Sequence, residues 1–151
     1  MPLNSQLTEA ERKKKLTTNN KFIKEKFFGL LEGEKVVESY ACAMSLKILV
    51  QGRLYVTNKR LCFHSYFNDK TIFGKETKIL IPLANVARVE KKTNVMVFDN
   101  SISIITKEEK EIFMTSFMFR DLAFELINIQ LEKVTGRVVR ISSGDGEEVA
   151  I

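Results

Sequence analysis

From Lys35 onward, apolar and polar residues alternate with a period of two, and polar or glycine-containing stretches interrupt the alternation. This pattern predicts strands over 36–44, 48–57, 61–66, 77–82, 86–91, 101–106 and 111–115. The clearest segment is LVQGRLYVTNKRLCFH, residues 49–64. There Leu54 and Val56 alternate with Arg53 and Tyr55, and Leu61 and Phe63 alternate with Cys62 and His64. The short polar stretch from Thr57 to Arg60 reads as a hairpin turn, with Asn58 able to take the left-handed conformation a hairpin needs. Over 117–134 the period changes to that of a helix. Phe119, Leu122, Ala123, Leu126, Ile127 and Ile129 cover most of its circumference, and Asp121, Glu125, Asn128 and Glu132 share a polar face. Ser116 is the expected N-cap, and Lys133 and Gly136 suit the stop. Upstream, Thr8 and Glu11 have capping-box spacing for a short helix over 9–16. Asn20 opens a second short helical stretch, with Phe22, Ile23, Phe27 and Phe28 anchoring it, and Gly33 ends it.

A run of antiparallel strands closed by one amphipathic C-terminal helix is a mainly β fold: a small seven-stranded sandwich or open barrel with a capping helix and short N-terminal helices. The chain divides into a basic N-terminal arm (1–19), one domain (20–135) and a Ser/Gly/acid-rich tail (136–151) expected to be flexible. Its 151 residues suffice for one core. No apolar run is long enough to span a bilayer, and the N-terminus lacks a secretory signal, so any membrane contact is expected to be peripheral and cytoplasmic.

The chain contains two cysteines, Cys42 and Cys62, and one histidine, His64. Both thiols fall inside expected strands and read as buried and free. A zinc site has no ligand set, and no cofactor motif is present. His64 has no second histidine to form an acid–base pair, and neither a nucleophile motif nor a glycine-rich phosphate loop occurs. Catalysis is not expected. The net charge of +5 is unevenly placed: between Lys47 and Lys78 there are seven basic residues and two acidic ones, Asp69 and Glu76. A second basic group, Arg12 to Lys15, is either a solvated face or an arm for an anionic surface.

Three blocks carry a family resemblance: EKVVESYACAMSLKILVQGRLYVTNKRLCFHS (34–65), GKETKILIPLANVARVEKK (74–92) and FMTSFMFRDLAFELI (113–127). Together they resemble a GRAM domain, a membrane-binding variant of the pleckstrin-homology fold, from Asn20 to about Val134. The variety most resembled is that of lipid-transfer anchors at membrane contact sites. No counterpart of their sterol-binding module or transmembrane anchor is seen, so lipid transfer is not expected. The resemblance implies the pleckstrin-homology-like fold and binding to anionic lipid, commonly phosphoinositide or phosphatidylserine. The segment FNDKTIFGKET (67–77) is longer than in those relatives, so no headgroup is carried over.

In a sandwich of this type the loops after strands one, three and six share one end. They would bring together Lys47, Lys70, Lys75, Lys107 and Lys110 as lipid-binding cations. Ile72 and Phe73 would lie at a loop tip, either entering the bilayer or folding back onto the sheet. Glu108 and Glu109 weaken the positive field there. Lys59 and Arg60 read as turn residues, and Lys91 and Lys92 as a strand end. The acidic face Asp121, Glu125 and Glu132 is the candidate surface for a protein partner. Tyr55 and Phe63 are too few as strand aromatics to make nucleic acid the favoured partner.

Overall fold

The computed structural model describes residues 7–27, 29–65, 77–93 and 99–136, with two short paired segments at 141–142 and 148–149. Seven antiparallel strands form one sheet: β1 (Val36–Ser45), β2 (Leu49–Thr57), β3 (Arg60–Ser65), β4 (Lys78–Pro82), β5 (Val86–Lys92), β6 (Ser101–Thr106) and β7 (Glu111–Thr115). Their order is β4-β3-β2-β1-β7-β6-β5. All seven match the strands expected from the alternation to within one residue at either end. Ile141 and Ser142 pair with Val149 and Glu148 inside the segment expected to be a tail.

The main core takes the inward side chains of both halves of the sheet, including Leu54, Val56, Leu61, Phe63, Ile102, Ile104 and Met114. Helix α2 (Arg120–Thr135) covers it with Ala123, Phe124, Ile127 and Leu131. Burying each large apolar side chain stabilises the fold by about 1.5–3 kcal/mol. Gly136 ends the helix at φ 69°, its amide donating to the Glu132 carbonyl at 2.8 Å, as the stop signal implies.

The N-terminal helices are a correction. One helix, α1 (Glu9–Lys26), runs through the expected break and through the expected 19/20 boundary. The capping box forms as anticipated: Thr8 Oγ1 accepts from the Glu11 amide, and Glu11 Oε2 accepts from the Thr8 amide. The poor helix formers Thr17 and Thr18 are accommodated by hydroxyl bonds back to the Lys13 and Lys14 carbonyls, both at 2.9 Å. Ile23 and Phe27 then pin the far half of the helix to the outer face of the sheet, against Val36, Tyr55 and Cys62. Tertiary packing overrides local propensity here.

The start of α2 is a second correction. Ser116 is not its N-cap but sits at φ 58°, and the helix begins at Arg120 after Phe119, with no side-chain cap. Phe117 is buried in the core and its amide donates to the Asn100 carbonyl, so these residues cross from β7 to the helix instead of joining it. Asn128 is also misassigned by the polar-face reading: it is buried, and its Nδ2 donates to the Phe124 carbonyl at 3.1 Å.

Candidate functional site

The two ends of β2 are built from opposite chemistry. At the β2–β3 end, Arg60 is buried and reaches Glu34 twice, Nε to Oε2 at 2.7 Å and NH2 to Oε1 at 2.6 Å. The same guanidinium donates to the Gly29 carbonyl at 3.0 Å. Glu34 also accepts from the Thr57 hydroxyl and the Leu31 amide. Burial alone would raise the Glu34 pKa, but these hydrogen bonds outweigh it and hold the carboxyl below its ordinary value. Asn58 does not take the left-handed conformation. Its side chain instead bridges the loop ahead of β1, accepting from the Lys35 amide and donating to the Gly33 carbonyl. Arg60 is therefore a buried anchor; the expected turn role belongs to Lys59 alone.

At the β1–β2 end, Ser45 faces Leu49, and the three residues between them close a tight turn, the Leu46 amide donating to the Ile48 carbonyl at 3.0 Å. Leu46, Ile48 and Leu49 are 50 %, 49 % and 52 % exposed, with Lys47, also exposed, between them. Three apolar side chains at one hairpin tip form an exposed patch of the kind that marks an interaction site. The alternation hid Ile48 and Leu49, because ILV reads as the start of a buried strand, whereas Leu46 falls in the break expected at 45–47. The available signal was the absence of any partner for a residue that is itself the turn.

Of the expected cations, Lys47 lies at this tip. Lys107 and Lys110 are exposed in the β6–β7 turn, where Glu109 sits at φ 62° and the Lys107 amide donates to the Asn85 carbonyl. Glu109 pairs with Arg88 at 3.5 Å, and Glu108 accepts from Asn85 at 3.2 Å. Because every neighbouring pair in the sheet is antiparallel, β1, β3 and β6 run in the same sense. Lys70, Ile72, Phe73 and Lys75 lie outside the described residues. The stem of their loop is fixed: the Ser65 amide donates to the Thr77 carbonyl, and the Thr77 amide to Ser65 Oγ, both at 3.0 Å. Ser65 faces Gly52 of β2. A Cβ at Gly52 would lie 2.3 Å from the His64 carbonyl oxygen and 2.7 Å from the Phe63 ring, so only glycine permits this approach.

Other candidate residues are in structural roles. Cys42 and Cys62 are buried and free, as expected, and burial pushes both thiols up to about 12. The His64 ring meets the Phe22 ring edge-on at 5.1 Å, and Phe22 stacks on Tyr55. Tyr55 and Phe63, the strand aromatics considered for stacking on nucleic acid, are both buried. Lys91 bonds Asp121 at 3.2 Å and lies over the Phe124 ring, tying β5 to α2. Asp121, Glu125 and Glu132 are exposed on α2. Among the described residues no acidic, histidine and cysteine side chains cluster as a metal site, and no helix is long and apolar enough to cross a membrane.

A family profile for the GRAM domain matches residues 22–135. The chain is 39 % identical over 119 residues to Protein Aster-A of Homo sapiens, a match covering 76 % of this chain and 16 % of that protein. It is 33 % identical over 119 residues to human GRAM domain-containing protein 2B, covering 79 % of this chain and 25 % of that one. An uncharacterized membrane protein of Schizosaccharomyces pombe is 37 % identical over 94 residues, 62 % of this chain and 12 % of that protein. The chain thus spans a quarter or less of these relatives. Among solved structures, the C-terminal domain of an unknown protein from Leishmania infantum aligns with a TM-score of 0.59 at 29 % identity, covering 76 % of this chain and 97 % of that one. The Vps36 N-terminal PH domain aligns with a TM-score of 0.55 at 14 % identity, covering 72 % and 86 %, a likeness of fold.

Proposed function

Because the chain belongs to the GRAM domain family, we propose that it is a non-catalytic, peripheral membrane-binding module for anionic phospholipids, phosphoinositide or phosphatidylserine, on the cytoplasmic face of a membrane. The exposed β1–β2 tip carries this reading: Leu46, Ile48 and Leu49 around Lys47 offer apolar side chains to the acyl boundary and a cation to the headgroups. Lys70, Lys75, Lys107 and Lys110 are the further proposed cations, and Ile72 and Phe73 a second inserting pair. Each lysine at an anionic surface contributes about 1 kcal/mol. Each tip residue, already half-covered, adds about 1 kcal/mol when fully withdrawn from water. The tip alone therefore gives about 4 kcal/mol, a millimolar attachment that multivalency would strengthen. The acidic face Asp121, Glu125 and Glu132 would be repelled by the same bilayer and is left for a protein partner.

The test is co-sedimentation with phosphatidylcholine vesicles, alone and containing phosphatidylserine or phosphoinositide. Pelleting with the anionic vesicles, reduced by Leu46→Ser with Ile48→Ser and by Lys70→Glu with Lys75→Glu, supports the reading. Equal pelleting with neutral vesicles, or none with anionic ones, removes it.

A further inference from the structure

A different region of the molecule offers a strand that, among the described residues, is paired along only part of one edge. β1 pairs with β2 along its length, but with β7 only at Ala43 and Met44. Among the described residues, the earlier part of β1 has no strand on that second edge. The Ser39 amide there takes its acceptor from the adjacent Glu38 carboxylate, at 2.9 Å, instead of from a neighbouring strand. An open groove of ≈ 510 Å³ runs along this edge, with Lys15 of α1 on one side and α2 on the other. The wall on that side is apolar: Met118, just ahead of α2, and Leu122 and Ile129 on it are 69 %, 42 % and 41 % exposed, and Phe119 and Leu126 are half-buried beside them.

We propose that this groove binds an extended peptide segment of another protein, which adds to β1 at Ser39–Ala41 and presses alternate apolar side chains against α2. Main-chain pairing supplies the affinity and the apolar wall the selectivity, as in strand addition generally. Charge complementarity specifies one further feature. Arg53 is half-buried in the groove and donates to the Ser39 hydroxyl at 2.8 Å, and to the Ser39 carbonyl at 3.5 Å. No carboxylate among the described residues forms an ion pair with it, whereas Lys15 is already bonded to Glu38 at 3.1 Å. A glutamate or aspartate facing Arg53 is therefore part of the segment. Glu125, exposed on the opposite wall, disfavours a second acid there. A lipid chain would cover the apolar wall but offer no main-chain partners to the strand edge, which is why a peptide fits better.

The test pans a display library of linear peptides, about twelve residues long, over the whole chain. The Met118→Asp, Leu122→Asp double variant, shown to be folded by circular dichroism, serves as the counter-target. The expected result is enrichment of sequences alternating apolar residues around one acid, with affinity about tenfold weaker for the double variant. Replacing Arg53→Gln removes the preference for the acid over its amide. Binding also slows amide hydrogen exchange at Ser39–Ala41. No enrichment, or clones that bind the double variant equally well, overturns the proposal. So does loss of vesicle pelleting in the double variant with no peptide enriched, which would assign the groove to lipid. Peptide enrichment, the acid preference and the amide exchange at Ser39–Ala41 do not involve the β1–β2 tip, so failure here is distinguishable from failure of the membrane reading.

Discussion

The β2 strand joins two hairpins that invert the ordinary rule for where charge and hydrocarbon belong. At one end Arg60 and Glu34 are withdrawn from water with side-chain exposures of 7 % and 0 %, and at the other Leu46, Ile48 and Leu49 stand half in solvent. The buried pair satisfies its bonding within the chain, through Thr57, Leu31 and Gly29, and fastens the end of α1 to the sheet. The apolar tip has no such partner in its own turn. A buried charge cluster of this kind contributes position, because removing half of it is costly while replacing the whole with hydrocarbon need not be. The exposed tip contributes little to folding and is free to serve contact. One end of the strand holds the fold, and the other is the end proposed for contact.

The largest expected effect breaks the holding end. Arg60→Met leaves Glu34 buried without its cation and should destabilise the fold by about 3–5 kcal/mol in denaturant unfolding. Adding Glu34→Leu should restore part of the loss. A change no larger than that of an exposed lysine substitution would remove the anchor role. Next, Gly52→Ala drives a Cβ into the His64 carbonyl and the Phe63 ring and should cost about 1–3 kcal/mol, read from the unfolding midpoint.

At the contact end the order of effects reverses. Leu46→Ser with Ile48→Ser should leave stability within about 0.5 kcal/mol. It should weaken binding to anionic vesicles about thirtyfold, the equivalent of about 2 kcal/mol. Lys47→Gln should weaken the same binding by about fivefold at low salt and less at high salt, measured by co-sedimentation. A tip whose replacement unfolds the protein would erase the contrast.

The smallest effect is on pH dependence. The Glu34 carboxyl is held below its ordinary value of 4.5 in the folded state. Its contribution is therefore fully present above that value and is lost as pH falls through the lowered folded pKa. Glu34→Gln should flatten the stability profile below about pH 4.5 and leave the slope near neutrality unchanged, as followed by thermal unfolding.

The strands were legible because a period-two pattern encodes which face is buried, and a slip by one residue would turn the whole set outward. The α2 stop was legible for a local reason too, since Gly136 supplies the left-handed residue. The α2 start was not, because Phe117 is drawn into the core by contacts distant in sequence. The continuity of α1 escaped for the same reason: Ile23 and Phe27 gain their burial from Tyr55 and Cys62 of a sheet not yet formed when the local sequence is read. At the candidate site, Lys47 could be named from charge and position. Leu46, Ile48 and Leu49 could not, because exposure is a property of what surrounds a residue.

By itself, the sequence determined the element types, the strand order along the chain, the faces of β2 and β3, and the family. These follow from local stereochemistry and the alternation of burial. Tertiary structure alone decided that Arg60 is an anchor, that three apolar residues remain outside, and that β1, among the described residues, keeps an open edge beside α2. Those outcomes depend on which distant groups arrive within bonding distance, and a linear pattern of polar and apolar residues does not contain that information.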